Sequence, residues 1–599
     1  MSGTAATAWP GVTAGADAAD AGSGEVAAGS DGTPCIRPIK AKLQEKQRAC
    51  ELPQFVAQFM TQFMALVAPD DRRHHGDRAI LSAANPPTMT VVQPNPDQRA
   101  RPARGANRLI AGARHLVDLT SEPRIVAVAL AAFVVLWMGF QTVSLWPVDL
   151  RNDAAEAALW AQHFAFGYKH PPMTAWLFGL WFAVFPRTDW AMHLNAVLLS
   201  AITLAIAWRT ARDYLDKDKA LFGLAALILV PLYTFKTAEL NASTAMLPFW
   251  AAALLFYLRA RKSIGVWDSL LAGACASASM LGKYWTVYLF AGMAVAAVAG
   301  ADRRRFWRSP SPYLMAAGAL AVIAPHAYWY VTQSGGSDYA FLRQSVMTTD
   351  SFATALGKSL AYLFGIIAYA AGPLVLLAVL RPSRAALADL LWPAEEARRQ
   401  ALILFLVPMV LPALVNLVSP YRLTPDWSLP NWTLLPIVLY GSRKIVVDAY
   451  AAAGAGLFAL AVSLVFLLAS PISAYLHLQA GLDSNRPISQ EVAAAGRTLT
   501  GKPVALYWGS PDVTGNLPFY VAGADPLESD PLAAASRAEI ARRGLLIACL
   551  DGDAACRKTQ SRVGGAAGAK AEDLSVRRTF LGFSGPPIGI HLVAMPANQ

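Results

Sequence analysis

Charge is scarce in this chain. Only 15% of its 599 residues are Asp, Glu, Lys or Arg, against 55% hydrophobic residues, and the mean hydropathy is +0.36. A soluble protein of several domains carries about a quarter charged residues, so that class is excluded and a polytopic membrane protein is indicated. Cysteine is scarce as well: the five present are scattered without metal-ligand spacing, which argues against a zinc site and against a disulfide-rich scaffold. No Gly-rich phosphate loop opens a helix in the C-terminal part, so a nucleotide cofactor has no support there. An internal repeat of hydrophobic segments, with helices broken at matching positions, is also missing, and this weighs against the main competing class, a transporter or flippase of a lipid-linked sugar. A membrane scaffold whose external domain binds a partner would leave the charge distribution described below without a purpose. The formal net charge of +11 is not a nucleic-acid footprint, because the Lys and Arg residues sit in short loops between apolar runs, where they report topology.

What is present falls into three parts. Residues 1–120 are rich in Ala, Gly, Pro, Asp and Arg and cannot bury a core, so a disordered region is expected. Its apolar piece Phe55 to Val67 is too short to span a bilayer. Arg99, Arg101, Arg104, Arg108, Arg114 and Arg124 precede the first span and hold this end in the cytoplasm by the positive-inside rule. Residues 121–469 form the membrane domain, mainly α, with about 11 spans expected from the apolar runs. The first runs from Ile125 to about Trp146, and Phe178 to Phe185 is read as an interfacial helix. The segment Leu434 to Tyr440 with its flanks is counted among the spans. Arg259, Arg261 and Lys262, then Arg303 to Arg305, then Arg381, Arg398 and Arg399 mark inside turns, and an odd count leaves the C-terminus outside. Residues 470–599 read as a small α/β domain, with strands in VALYWG, GLLIACL and IGIHLVAM and a helix around Ala534 to Arg543. Its close cysteine pair, Cys549 and Cys556, is a disulfide candidate if the domain faces an oxidising compartment; two thiols near one another by chance is the alternative.

Chemistry concentrates in the loop after the first span, within residues 147–190. Val148 to Trp176 reads VDLRNDAAEAALWAQHFAFGYKHPPMTAW. Asp153 and Glu156 lie three apart, on one face if the segment is helical, with Trp160 and Phe164 continuing that face. Pro171 and Pro172 forbid helix just before them and hold Lys169 and His170 in place. An active-site loop and a solvated interfacial loop both fit these residues. On the expected topology the same side collects Lys236, Glu239, Asn241, Lys283, Tyr284, Arg422, Asp426, Asn431 and Trp432. Lys283 interrupts an apolar run, and an intramembrane cation needs an anion or must snorkel to the interface. Arg422 suits either a phosphate or a structural pair with Asp426.

These residues resemble a family. Asp153, Trp160, Gly167-Tyr168 and His170-Pro171-Pro172 are similar to the first external loop of the GT-C membrane glycosyltransferases of the protein-mannosyltransferase and aminoarabinose-transferase type. ELNASTAMLPFW, MLGKY and PNWTLLP extend the likeness from Ile125 to the last span. The chain departs from the pattern at Ala154, where the family carries a second acid, which leaves Glu156 as its substitute. The resemblance implies a GT-C-like helical domain in the bacterial inner membrane, with a periplasmic C-terminal domain. It implies transfer of a sugar from a polyprenyl-phosphate donor to a hydroxyl of an envelope lipid, glycan or protein, inverting and without cofactor or metal. Asp153 would be the general base, with Glu156 beside it. Lys169, His170, Lys283 and Arg422 would hold the donor phosphate, and Tyr168, Glu239, Asn241, Tyr284, Asn431 and Trp432 would line the acceptor and sugar pocket.

Overall fold

The computed structural model describes residues 110–112, 114–115, 122–162, 164–168, 171–333, 346–479, 486–527, 530–565 and 568–597. The expected disorder of the N-terminal region, its apolar piece and Arg99 to Arg108 lie outside the described residues, as do Lys169 and His170.

Apolar runs become helices because a backbone in hydrocarbon must satisfy its own hydrogen bonds. The first is α1 (Glu122–Ser144), followed by the short α2 (Asn152–Trp160) and α3 (Met173–Phe182). Then come α4 (Asp189–Arg212), α5 (Lys217–Ile228) and α6 (Leu247–Ser263). Next are α7 (Val266–Gly282), α8 (Val287–Ala299), α9 (Ser311–Thr332), α10 (Phe352–Tyr369), α11 (Glu396–Val418) and α12 (Ala449–Gln479). Among the described residues seven helices are long and apolar enough to cross a membrane: α1, α4, α6 with its leading turn, α9, α10, α11 and α12. An eighth is added if Lys217–Ile228 and Pro231–Glu239, bent by 69°, count as one broken span. Length and apolarity alone therefore stop short of eleven. The segment at Leu434 to Tyr440 with its flanks is not among these helices: it folds as a 3-10 stretch, Pro425–Leu434, followed by the six-residue helix Leu435–Tyr440, with Pro425, Pro430 and Pro436 along it.

Helices α7 and α9 pack backbone to backbone. A Cβ at Gly273 would lie 1.8 Å from the Met315 carbonyl oxygen, and one at Gly318 would lie 2.1 Å from that of Leu270. Small residues permit such approach where lipid supplies no hydrophobic drive.

The two ends of the bundle differ. At one, Arg212 pairs with Glu122 at 2.7 Å and Arg259 with Asp213 at 2.8 Å, while Arg261 pairs with Asp302 and Arg398 with Asp389. From that end α1 rises to Ser144, whose hydroxyl meets that of Ser473 near the end of α12, 2.6 Å away. The loop carrying α2 and the C-terminal domain both lie at this second end, so their common placement does not depend on counting spans.

The C-terminal domain holds α13 (Arg486–Thr500), β1 (Leu506–Gly509), β2 (Asp525–Pro526), α14 (Ala534–Arg543), β3 (Leu545–Leu550), α15 (Ala554–Gly564), β4 (Lys570–Phe580) and β5 (Phe583–Met595). The sheet order is β2-β1-β3-β5-β4, with β1 parallel to β2 and β3, and β5 antiparallel to β3 and β4. Strand β3 is buried on both faces: Leu546 and Ala548 join the cluster under α13, while Leu545, Ile547 and Cys549 pack toward α14 and α15. Cys549 and Cys556 are bonded, their Cα atoms 5.6 Å apart, which ties the end of β3 to the start of α15. The domain docks on the α2 loop through Asn516, whose Nδ2 donates to the Leu150 carbonyl at 2.6 Å, and through Tyr520, whose hydroxyl accepts from the Leu150 N–H at 3.0 Å and donates to Asp189 at 2.8 Å. Ser489 adds a bond to Asp149 at 3.0 Å.

Candidate active site

Helix α2 forms because NDAAEAALW is rich in Ala, the strongest helix former, and its Ala face is what anchors it. Ala154, Ala155, Ala157 and Ala158 are buried against α3, α4 and Phe519 of the C-terminal domain. Ala154 is 1% exposed, so a carboxylate there would be largely desolvated between helices. Asp153 points the other way, exposed, in the first turn of α2 where the helix dipole favours an anion. Glu156 is half-buried one turn on and has a partner of its own.

Asp153 stands where two environments meet. On one side lies Lys283, at the break between α7 and α8, with both Asp153 and Arg422 within electrostatic reach of its ammonium. The Lys283 Nζ donates to the Ser243 hydroxyl at 3.0 Å and sits 4.5 Å from the centre of the Trp427 ring. Trp285 meets Trp427 edge-on at 5.2 Å and Tyr421 stacks on it at 6.3 Å, so the cation is held in an aromatic box rather than stretched out to the interface. On the other side is a cavity of about 540 Å³ whose wall includes Asp153, Arg151, Lys236 and Glu239 together with His193, His477, Asp512 and Asn516.

The floor between these sides is a chain of charges. Arg151 reaches Glu239 at 3.4 Å, Lys236 bonds Glu239 at 3.1 Å and Asp426 at 2.8 Å, and the Tyr369 hydroxyl donates to Asp426. Asp426 thus engages Lys236 and Tyr369 rather than Arg422, whose side chain is exposed, so of the two readings of Arg422 the pair with Asp426 is not the one the structure forms.

The remaining residues singled out from the sequence separate by role. Glu239 alone of the six assigned to the acceptor and sugar pocket lines the cavity. Tyr168 stacks on Trp160 at 5.4 Å, and its hydroxyl accepts from the Ala165 N–H. Tyr284 shapes the same loop from below: its hydroxyl bonds His326 Nε2 at 2.8 Å, and His326 Nδ1 donates to the Phe166 carbonyl at 2.7 Å. A Cβ at Gly167 would fall 2.1 Å from the Trp329 ring, so this loop position needs glycine for room. Asn241 caps the turn Ala242–Ala245 by accepting from the Ser243 and Thr244 N–H groups. Asn431 and Trp432 are 2% and 1% exposed and bonded to Pro408 and Ser428, which makes them core residues. Sequence reasoning missed His193, which hides in an apolar helix, Asp189 at the end of the same loop, and His477, Asp512, Asn516 and Tyr520, which reach the loop only through folding. Among the described residues no group of three or more His, Cys, Asp or Glu side chains is placed to hold a metal ion.

The chain is similar to known proteins. Residues 169–329 match the family described as dolichyl-phosphate-mannose-protein mannosyltransferase. Two solved structures of ArnT from Cupriavidus metallidurans, one apo and one bound to undecaprenyl phosphate, superpose with TM-scores of 0.54 and 0.52. They cover 79% and 78% of this chain and 98% and 97% of theirs, at 12% and 13% identity. The chain has the fold of these ArnT structures. Among curated proteins it is 31% identical over 250 residues to the lipopolysaccharide core galacturonosyltransferase RgtB of Rhizobium johnstonii, covering 38% of this chain and 49% of that one. To RgtA of the same organism it is 27% identical over 262 residues, covering 42% of this chain and 50% of the relative. The chain therefore spans about half the length of the curated relatives it matches.

Proposed function

We propose that this GT-C protein is an integral-membrane glycosyltransferase that moves a sugar from a polyprenyl-phosphate donor to a hydroxyl of an envelope acceptor. The observation that carries the reading is the position of Asp153, exposed at the junction of the Lys283 side and the cavity. The donor phosphate lies toward Lys283 and Arg422, where Ser243 adds a polar partner and Lys169 and His170, assigned on sequence grounds, complete the cationic rim. Asp153 takes the proton of the acceptor hydroxyl as its oxygen bonds to the anomeric carbon. The bond from that carbon to the phosphate oxygen breaks, and the charge gathered by the departing polyprenyl phosphate is met by fixed cations in a partly dry site. One direct displacement inverts the anomeric configuration. Lys236 and Arg151 hold Glu239 in the same cavity wall, so Glu239 is fixed as a hydroxyl acceptor beside the base.

The chain sits in the inner membrane with its N-terminal side cytoplasmic and its C-terminal domain periplasmic. The arginine-rich end of the bundle, opposite the Asp153 loop, supports this orientation. The ArnT structure with undecaprenyl phosphate and the lipopolysaccharide core named for RgtA and RgtB support a lipid-linked donor and a lipopolysaccharide core acceptor. Mass spectrometry of envelope lipids and glycans from a deletion strain and its complemented counterpart tests the reading. One glycan or lipid species should lose the mass of a sugar residue on deletion and regain it on complementation; identical profiles would refute glycosyl transfer.

A further inference from the structure

Resting on that reading, we propose that the cavity beside Asp153 is the acceptor's saccharide site, built jointly by the membrane helices and the C-terminal domain, with His193 and Asn516 reading acceptor hydroxyls. His193 is 6% exposed in the wall of the cavity, and its Nδ1 has no hydrogen-bond partner among the described residues. Asn516, 1% exposed in the wall of the same cavity, spends its Nδ2 on Leu150 and leaves Oδ1 without a partner among the described residues. Buried polar groups are nearly always paired in folded proteins, and an unpaired one costs about 1–3 kcal/mol. Two such groups on different elements of one cavity mark a ligand that supplies what they lack.

The chemistry of that ligand follows from the wall. Asn516 Oδ1 can only accept a hydrogen bond, and the carboxylates of Asp153, Asp189, Glu239 and Asp512 around it are acceptors too. Phosphate oxygens only accept: they would suit Arg151 and Lys236, which Glu239 already pairs, but would leave Asn516 Oδ1 and the carboxylates of this wall without donors. Sugar hydroxyls donate and accept at once, which suits the carboxylates, Asn516 Oδ1 and either tautomer of His193. The cavity wall contains none of Lys283, Ser243, Arg422 and Trp427, so the phosphate side and the polyol side share only Asp153 and its neighbours. A direct displacement requires that separation, since the nucleophile attacks the anomeric carbon on the side opposite to the one from which the leaving group departs. The volume of about 540 Å³ falls within the usual range of small-molecule sites, about 300–1,000 Å³.

Full-length protein in lipid nanodiscs is titrated with core oligosaccharide released from lipopolysaccharide, followed by saturation-transfer NMR, and in parallel with undecaprenyl phosphate. The oligosaccharide should bind, and His193→Phe should weaken it tenfold or more while undecaprenyl phosphate binding stays within twofold. Asp512 is exposed, so Asp512→Asn keeps the fold and should weaken the oligosaccharide at least threefold. No oligosaccharide binding to the wild type, unchanged affinity in both variants, or loss of both probes in His193→Phe with Asp512→Asn unchanged would each overturn the assignment. If any of these holds while the deletion strain still loses a sugar from its envelope, the acceptor site falls and the glycosyltransferase reading stands. If the envelope is unchanged, that reading falls whatever the oligosaccharide does.

Discussion

Replacing Tyr520 with Phe removes one oxygen from the joint that holds the Asp153 loop. That hydroxyl accepts from the Leu150 N–H at 3.0 Å and donates to Asp189 at 2.8 Å. Burial, with Asp149 and Asp189 beside it, pushes the phenol well above its ordinary value, so it remains a donor at any working pH. Phe keeps the packing against the α2 face but leaves a buried amide without an acceptor and a carboxylate without one of its donors. Groups stranded in this way cost about 1–3 kcal/mol. With about 1.4 kcal/mol per factor of ten, local opening of the joint should rise about 5- to 150-fold. Hydrogen exchange resolved by mass spectrometry reads this directly: amides of residues 148–158 should exchange faster by that factor, while those of β3 and β5 hold. Unchanged exchange in the loop would show that the C-terminal domain does not position Asp153.

Ala154→Asp, which restores the acid of the related loops, should place a carboxylate in a site 1% exposed and lower stability by several kcal/mol, seen as loss of folded protein in detergent; a fully stable variant would refute the burial argument. Lys283→Met should weaken undecaprenyl phosphate binding at least tenfold with little change in expression, because Met fits the aromatic box without a charge; equal affinity would leave Lys283 a structural cation. Alkylation without prior reduction, followed by mass mapping, should find Cys549 and Cys556 joined in protein isolated from cells, and two freely alkylated thiols would contradict the bond.

The long helices were legible because hydropathy reports burial in lipid directly, and α1 covers its expected span to within a turn at each end. Leu434 to Tyr440 is apolar enough to read as part of a span, yet with its flank it folds as a 3-10 stretch and a six-residue helix, and a hydropathy count does not read helix type. Strand β4 went unseen because KAEDLSVRRTF is an edge strand whose first half is exposed and charged. The site was half legible. Asp153 and Lys283 are conspicuous where they stand, one leading an Ala-rich helix and the other breaking an apolar run. Asn241, Asn431 and Trp432 lie beside the same motifs, yet a cap and two core contacts account for them, and composition cannot tell a capping Asn from a binding one. The far wall of the cavity was not legible at all. His193 and Asn516 are joined only because the C-terminal domain docks on the α2 loop, a contact with no local spacing to announce it.

The central claim is that Asp153 removes the acceptor proton. Asp153→Asn preserves volume and the first turn of α2 but cannot take up a proton. Sugar transfer should be measured in nanodiscs with polyprenyl-phosphate donors and lipopolysaccharide extracted from the deletion strain, alongside undecaprenyl phosphate binding. The account predicts a fall in kcat of at least about a hundredfold, with lipid phosphate affinity within twofold of wild type. Wild-type turnover in Asp153→Asn would contradict it.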